Sequence, residues 1–160
     1  MLALPLEWRR EAARAMLADR GGAGQISSAM LAAAASGDAA SVRQLLAAGA
    51  HPDAADSRKS SGVTALMTTV MHGTPPGCEE CVRALYEGGA SLDQLNKFGE
   101  SALHKAAFGG KLGCCKLLIE WGANASIRRA DGKTALEIAQ FGDWRRTNAG
   151  VVAYLGGVGC

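Results

Sequence analysis

The side chains able to do chemistry in this chain are few and far apart. Three histidines (His51, His72 and His104) and five cysteines (78, 81, 114, 115 and 160) are the natural candidates. His72, Cys78 and Cys81 have a spacing suited to metal ligation, and residues three apart, as the two cysteines are, share one face of a helix. No second pair follows at a matching interval, so this trio supports only an alternative reading: a zinc-binding or thiol-redox module using Cys78, Cys81 and His72. Gly132-Lys133-Thr134 has the form of the tail of a phosphate-binding loop. Ile127 stands where that loop needs its first glycine, however, and no strand precedes it. G-x-S-x-G and H-E-x-x-H are absent, and the histidines are too scattered to pair as acid and base. Neither a catalytic site nor a cofactor is expected.

Composition narrows the partners. With 17 Lys plus Arg against 15 Asp plus Glu, the formal charge of +2 is too small for the phosphate neutralisation that drives nucleic-acid binding. No apolar run reaches the ~18 residues of a membrane span, so neither nucleic acid nor membrane is expected as a partner. Glu7, Arg9, Arg10 and Glu11 interrupt any early secretory core, and the cysteine count is odd, which together suggest a reducing cytoplasmic or nuclear setting. In that setting Asn124-Ala-Ser126 is not read as a glycosylation acceptor.

The elements that position these residues announce themselves by repetition. Ser28-Ala-Met-Leu-Ala-Ala-Ala, Thr64-Ala-Leu-Met-Thr-Thr-Val, Ser101-Ala-Leu-His-Lys-Ala-Ala and Thr134-Ala-Leu-Glu-Ile-Ala-Gln begin at 28, 64, 101 and 134, so at intervals of 36, 37 and 33. Each opens on a hydroxyl residue able to cap a helix, and Thr134 with Glu137 spells a capping box. Gly37, Gly73, Gly110 and Gly142 follow these first helices, while Gly49, Gly89 and Gly122 follow second ones, as expected of left-handed helix ends. The second helices carry apolar stripes in Val42 to Leu46, Val82 to Leu85, Cys115 to Leu118 and Val152 to Leu155. One helix pair cannot bury such a stripe, whereas stacked neighbours can. Residues 5 to 20 suit an additional amphipathic helix that ends at Gly21-Gly22-Ala-Gly24. The expected organisation is therefore an N-terminal capping helix and Gly-rich linker over 1–24, then repeats of about 25–57, 58–94, 95–127 and 128–160.

Gly99-Glu-Ser-Ala-Leu-His-Lys-Ala-Ala followed by Leu117-Leu-Ile-Glu-Trp-Gly-Ala-Asn124 closely resembles a complete ankyrin repeat, with the T-P-L-H-x-A pattern at a period of ~33 residues. The similarity extends over roughly residues 27 to 155. It implies an all-α solenoid of about four helix-turn-helix repeats joined by short hairpin-like fingers. This chain has Ala29, Ala65, Ala102 and Ala135 where such repeats usually carry proline, a change that removes no hydrogen bond. The first finger, from Gly49 to Gly62, is three residues longer than its successors and holds Arg58, Lys59, Ser60 and Ser61. About four extra residues lie near Thr74-Pro-Pro-Gly77, and the last unit is lengthened from Gly142 to Gly150.

The resemblance also implies a function: binding another protein through the concave surface formed by fingers and first helices. Carried over by position, the residues just after the small pair of each first helix are Ala35, Met71 (with His72 beside it), Phe108 and Phe141. Lys97, Phe98 and Glu100 belong to a finger, and Lys105 and Lys133 supply charge at the edge. Large apolar groups rimmed by charge are what a binding hot spot requires. The competing expectation is that Phe108 and Phe141 are ordinary core. Trp144 and Arg145, with Arg146, form a second candidate contact in the long last loop. His104 is expected to be structural, hydrogen-bonded to backbone near the turns. Cys81 and Cys114 fall at equivalent core positions ~10 Å apart, too far to bridge. The expected molecule is a monomeric, non-enzymatic scaffold, adaptor or inhibitor for a protein whose identity the sequence does not name.

Overall fold

Because consecutive units lean on one another, the architecture follows from which helices touch. The computed structural model describes residues 22–55, 61–73, 77–141 and 148–158. The proposed capping helix over 5–20, the basic finger tip at Arg58 to Ser60, and Trp144 with Arg145 and Arg146 all lie outside these residues.

Among the described residues there are eight helices in four pairs: α1 (Gly22–Ser36) with α2 (Ala39–Ala47), α3 (Ala65–His72) with α4 (Gly77–Glu87), α5 (Ala102–Phe108) with α6 (Leu112–Glu120), and α7 (Ala135–Phe141) with α8 (Ala149–Gly157). Helices α1, α3, α5 and α7 pack side by side in an inner layer, and α2, α4, α6 and α8 in an outer one. No strand occurs among the described residues. An isolated antiparallel bridge between Ala55 and Thr64 is the nearest approach to one, so the fingers are tight turns.

The apolar interior is continuous through the stack. Met30, Leu66, Met67, Leu85, Leu103, Leu118 and Leu155 are all fully enclosed, each contributing about 1.5–3 kcal/mol through surface removed from water. Alanines at 34, 65, 102, 106, 107, 135 and 139 are also buried, and their small size lets neighbouring inner helices approach closely. In the last outer helix the buried stripe runs from Val151 to Leu155, with Val152 only partly covered.

Helix starts follow the capping chemistry in three units. Thr64 accepts from the Met67 amide at 3.3 Å. Thr134 and Glu137 form the reciprocal box, the Thr134 amide donating to Glu137 at 2.7 Å and the Glu137 amide to the Thr134 hydroxyl at 3.3 Å. In the third unit the ring of His104 replaces the usual carboxylate and receives the Ser101 amide. The first unit departs from expectation: Ser28 is inside α1, which begins at Gly22, so neither a cap at 28 nor a break at Gly22 to Gly24 occurs. Ile26 and Met30 are both buried one turn apart, and this contact with the stack favours helix over the glycines' preference for coil.

Gly73 is a second correction. Its φ of −61° is not left-handed. It is instead a place of close approach, where a Cβ would lie 2.5 Å from the Thr69 carbonyl and 3.1 Å from the Cys78 side chain.

Candidate functional site

The fingers are built by one recurrent turn. The Asn96 amide donates to the Glu100 carbonyl and the Gly99 amide to the Asn96 carbonyl, each at 3.0 Å. One repeat later the Arg129 amide donates to Lys133 at 3.0 Å and the Gly132 amide to Arg129 at 2.8 Å. Gly99 and Gly132 have φ of 72° and 81°, which a residue with a Cβ seldom adopts. Adjacent fingers are sewn together by backbone bonds, Lys97 amide to Ser61 carbonyl at 3.0 Å and Ala130 amide to Phe98 carbonyl at 2.9 Å. At the far ends of the turns, Asp53 accepts from the Ser91 amide at 2.8 Å and Asp93 from the Asn124 amide at 2.9 Å, so the same latch is used twice.

On this frame the large apolar side chains of the inner face stand in solvent. Met71, Phe108 and Phe141 are the seventh residues after Thr64, Ser101 and Thr134, at the ends of three helices packed side by side. They are 41%, 69% and 74% exposed, and Phe98 on its finger is 52% exposed. Phe108 and Phe141 are therefore surface and not core. Ala35 holds the equivalent place in α1, and His72 is exposed beside Met71. The Lys133 ammonium lies 4.2 Å from the centre of the Phe141 ring, and that of Lys97 5.0 Å from Phe98, so cations cover two of the rings.

Glu100 and Lys105 do not project freely. Glu100 is held by the Lys105 ammonium at 2.5 Å and by the Arg129 guanidinium at 3.3 Å. The Asn96 amide group donates to it at 2.9 Å. Burial alone would raise its pKa, but the bonds from Lys105 and Asn96 and the nearby Lys105 and Arg129 charges outweigh this and hold the carboxyl below its ordinary range. Arg129 also grips Asp131 with two bonds at 2.7 and 2.6 Å, which lowers that carboxyl to about 2. Asn96, Arg129 and Asp131 thus belong to the finger surface, although their residue types alone did not single them out. The signal that could have found them is the repeated turn, which aligns Asn96 with Arg129 and Glu100 with Lys133.

His104 is fully engaged. Its Nδ1 accepts from the Ser101 amide at 3.2 Å, so the proton is on Nε2, which donates to the Lys133 carbonyl at 3.3 Å. Burial in this position lowers its pKa below 6.5. Its structural role is as expected, and it spans two repeats.

The trio His72, Cys78 and Cys81 does not gather. Among the described residues no group of three His, Cys, Asp or Glu side chains could hold a metal ion. His72 is exposed while both cysteines are enclosed by packing. Cys78 approaches Cys114 instead, with the sulfurs 2.9 Å apart. Repeat equivalence pairs Cys81 with Cys114, whereas the contact is with the diagonal neighbour one helical turn away.

No helix among the described residues is long and apolar enough to cross a membrane. A family profile described as "Ankyrin repeats (3 copies)" matches residues 29–124 and, in a second placement, 76–155. Relatives include the Transient receptor potential cation channel subfamily A member 1 homolog of Caenorhabditis elegans, 38% identical over 64 residues, which are 39% of this chain and 5% of that protein. The E3 ubiquitin-protein ligase KEG of Arabidopsis thaliana is 36% identical over 98 residues, 61% of this chain and 6% of the relative. Mouse Protein phosphatase 1 regulatory subunit 27 is 45% identical over 49 residues, 31% of this chain and 32% of the relative. The chain thus spans a third or less of each of these relatives.

Proposed function

Since the chain belongs to the ankyrin-repeat family, whose repeats are generally protein–protein interaction modules, we propose that it binds a partner protein across the face made by its fingers and inner helices, as a scaffold, adaptor or inhibitor. The observation that carries this reading is the exposure of Met71, Phe98, Phe108 and Phe141 on adjoining units. Exposed aromatic groups at the ends of packed helices supply buried area on association, and a preformed stack loses little entropy when it binds. Lys97, Lys133, and Lys105 locked to Glu100 give the rim its charge. His72 adds a polar edge, and Trp144 and Arg145 extend the same proposal to the last loop.

The named relatives include a channel homolog, a ubiquitin ligase and a phosphatase regulatory subunit, three unlike roles by name. That breadth favours binding over any one of their activities for this chain. Cytoplasm or nucleus suits four described cysteines that are all free thiols. The expected state is monomeric, without nucleic acid or membrane as partner.

The test is affinity purification from the native organism with wild-type protein and with a Phe98→Ala/Phe108→Ala double variant. Both residues are exposed, so the variant should keep its helical circular dichroism while losing most of its specific partners. A folded double variant that recovers the same partners at the same yield would refute the assignment.

A further inference from the structure

Cys78 and Cys114 come from the first turns of α4 and α6, two neighbouring outer helices, and both are buried. Their sulfurs are 2.9 Å apart. A disulfide needs about 2.05 Å, so closing the bond asks for a movement of only about 0.9 Å. The pair is chemically unequal. Cys78 also lies 3.4 Å from the Thr69 carbonyl, to which its thiol donates, leaving the Cys78 sulfur to accept the Cys114 proton.

We propose that Cys78 and Cys114 form a reversible disulfide that staples the second repeat to the third when the protein meets a peroxide. In the reaction, the Cys78 thiolate attacks one oxygen of hydrogen peroxide, the O–O bond breaks, and hydroxide departs, taking the proton Cys78 released and leaving Cys78 as a sulfenic acid. Cys114 then gives up its proton and attacks the Cys78 sulfur, forming the S–S bond and expelling the hydroxyl as water. Two thiols and one peroxide become one disulfide and two waters. The second step uses the partner already in contact, 2.9 Å away.

The same contact and the charges around it favour this direction of attack. The hydrogen bond from Cys114 and the nearby Lys111 ammonium lower the Cys78 pKa, against the opposing effects of burial and the Glu79 carboxylate. Cys81, Cys114 and Cys115 are all pushed up, by burial in Cys81 and Cys115 (to about 11 and about 12) and chiefly by the bond to Cys78 in Cys114. Lys111 is kept close by its bond to the Gly73 carbonyl at 3.1 Å. Gly73 itself packs against Cys78 so tightly that a Cβ would be 3.1 Å from it, which restricts where the sulfur can go. Since both thiols are enclosed, the rate is set by how often local opening admits the oxidant.

The experiment treats the native full-length protein with hydrogen peroxide and maps it by mass spectrometry after digestion without reductant. The expected product is a linked peptide containing Cys78 and Cys114, two hydrogens lighter than the separate peptides and reversed by dithiothreitol. Closing this loop should raise the melting temperature by roughly 5–10 °C over the reduced form. Cys81→Ala should keep both effects, and Cys114→Ala should abolish both. Linkage through Cys81 or Cys115 would overturn the proposal. So would intact Cys78 and Cys114 thiols at a peroxide dose that fully oxidises the urea-unfolded chain. The mapping needs no variant, so a substitution that fails to fold leaves the proposal open to refutation.

Discussion

Replacing Glu100 with glutamine tests whether the finger surface is held by charge. The Glu100 side chain is 12% exposed and that of Lys105 17%, so the ion pair between them is largely sheltered from water. Glutamine keeps the shape and can still accept from Asn96, but it loses the charge that attracts both cations. A hydrogen bond to a charged group contributes about 1.5–3 kcal/mol, and a second such bond, to Arg129, is lost alongside it. Two features reduce the sum. Arg129 retains its paired bonds to Asp131, and the amide oxygen still offers Lys105 a neutral acceptor. We expect Glu100→Gln to lower stability by about 2 kcal/mol at pH 7. With a urea dependence of about 2 kcal/mol per molar, the unfolding midpoint should fall by about 1 M.

The acid limb supplies the control. A carboxyl whose folded pKa lies below its unfolded value of about 4.3 stabilises the fold above that unfolded value, and the contribution disappears as pH falls through the folded value. The gap between wild type and Glu100→Gln should therefore be full at pH 7, begin to narrow near pH 5 and close in stronger acid. Urea melts followed by circular dichroism at several pH values measure this directly. A variant within 0.5 kcal/mol of wild type at pH 7, or a gap that stays constant into acid, would refute the reasoning.

Three further substitutions follow from the same structure. A Cβ at Gly77 would sit 2.7 Å from the Gly37 carbonyl, backbone that cannot step aside, whereas at Gly24 inside α1 nothing lies within 4 Å; Gly77→Ala should lower stability by about 2–3 kcal/mol and Gly24→Ala raise it by about 0.5–1 kcal/mol, as thermal melts would register. His104 should titrate by NMR below 6.5 and show the Nε2–H tautomer. Its folded pKa is depressed, so the protein should lose stability as pH drops from about 7 toward that folded value, and His104→Ala should flatten this part of the profile.

What the sequence reveals and what it hides divide along a physical line. Thr64 and Thr134 are readable as caps because a cap is a local bargain between a hydroxyl and an amide three residues on. Ser28 belongs to the same pattern yet lies within a helix, because the described residues from Gly22 onward are already helical and Ile26 finds a place in the core. Gly73 stands out in the sequence, but a left-handed bend and a close approach both demand glycine, and only packing tells them apart. The sulfur contact was hidden for a related reason. Aligning repeats pairs Cys81 with Cys114, but a stack is a two-dimensional lattice, and a side chain leaning toward its helix N-terminus meets the diagonal neighbour. Phe108 and Phe141 show the reverse case, since apolar residues at helical spacing read as core until the neighbouring helix is seen not to cover them.

If partners bind the face proposed above, that uncovered position lets a stack of this kind change partners without changing fold. Stability is drawn from Leu66, Leu103, Leu118 and the alanines between inner helices, all enclosed by neighbours, and from the finger bonds that repeat from unit to unit. None of these requires a particular residue at 71, 108 or 141, which end their helices in solvent. A bulky apolar group there leaves surface exposed, worth about 25 cal/mol per Å² to whatever later covers it. The cations over Phe98 and Phe141 shield part of that surface in the free protein and remain available to a partner's acidic groups. On the binding face proposed above, folding and recognition rest on different atoms of the same helices, and substitutions at these ends should alter binding far more than melting temperature.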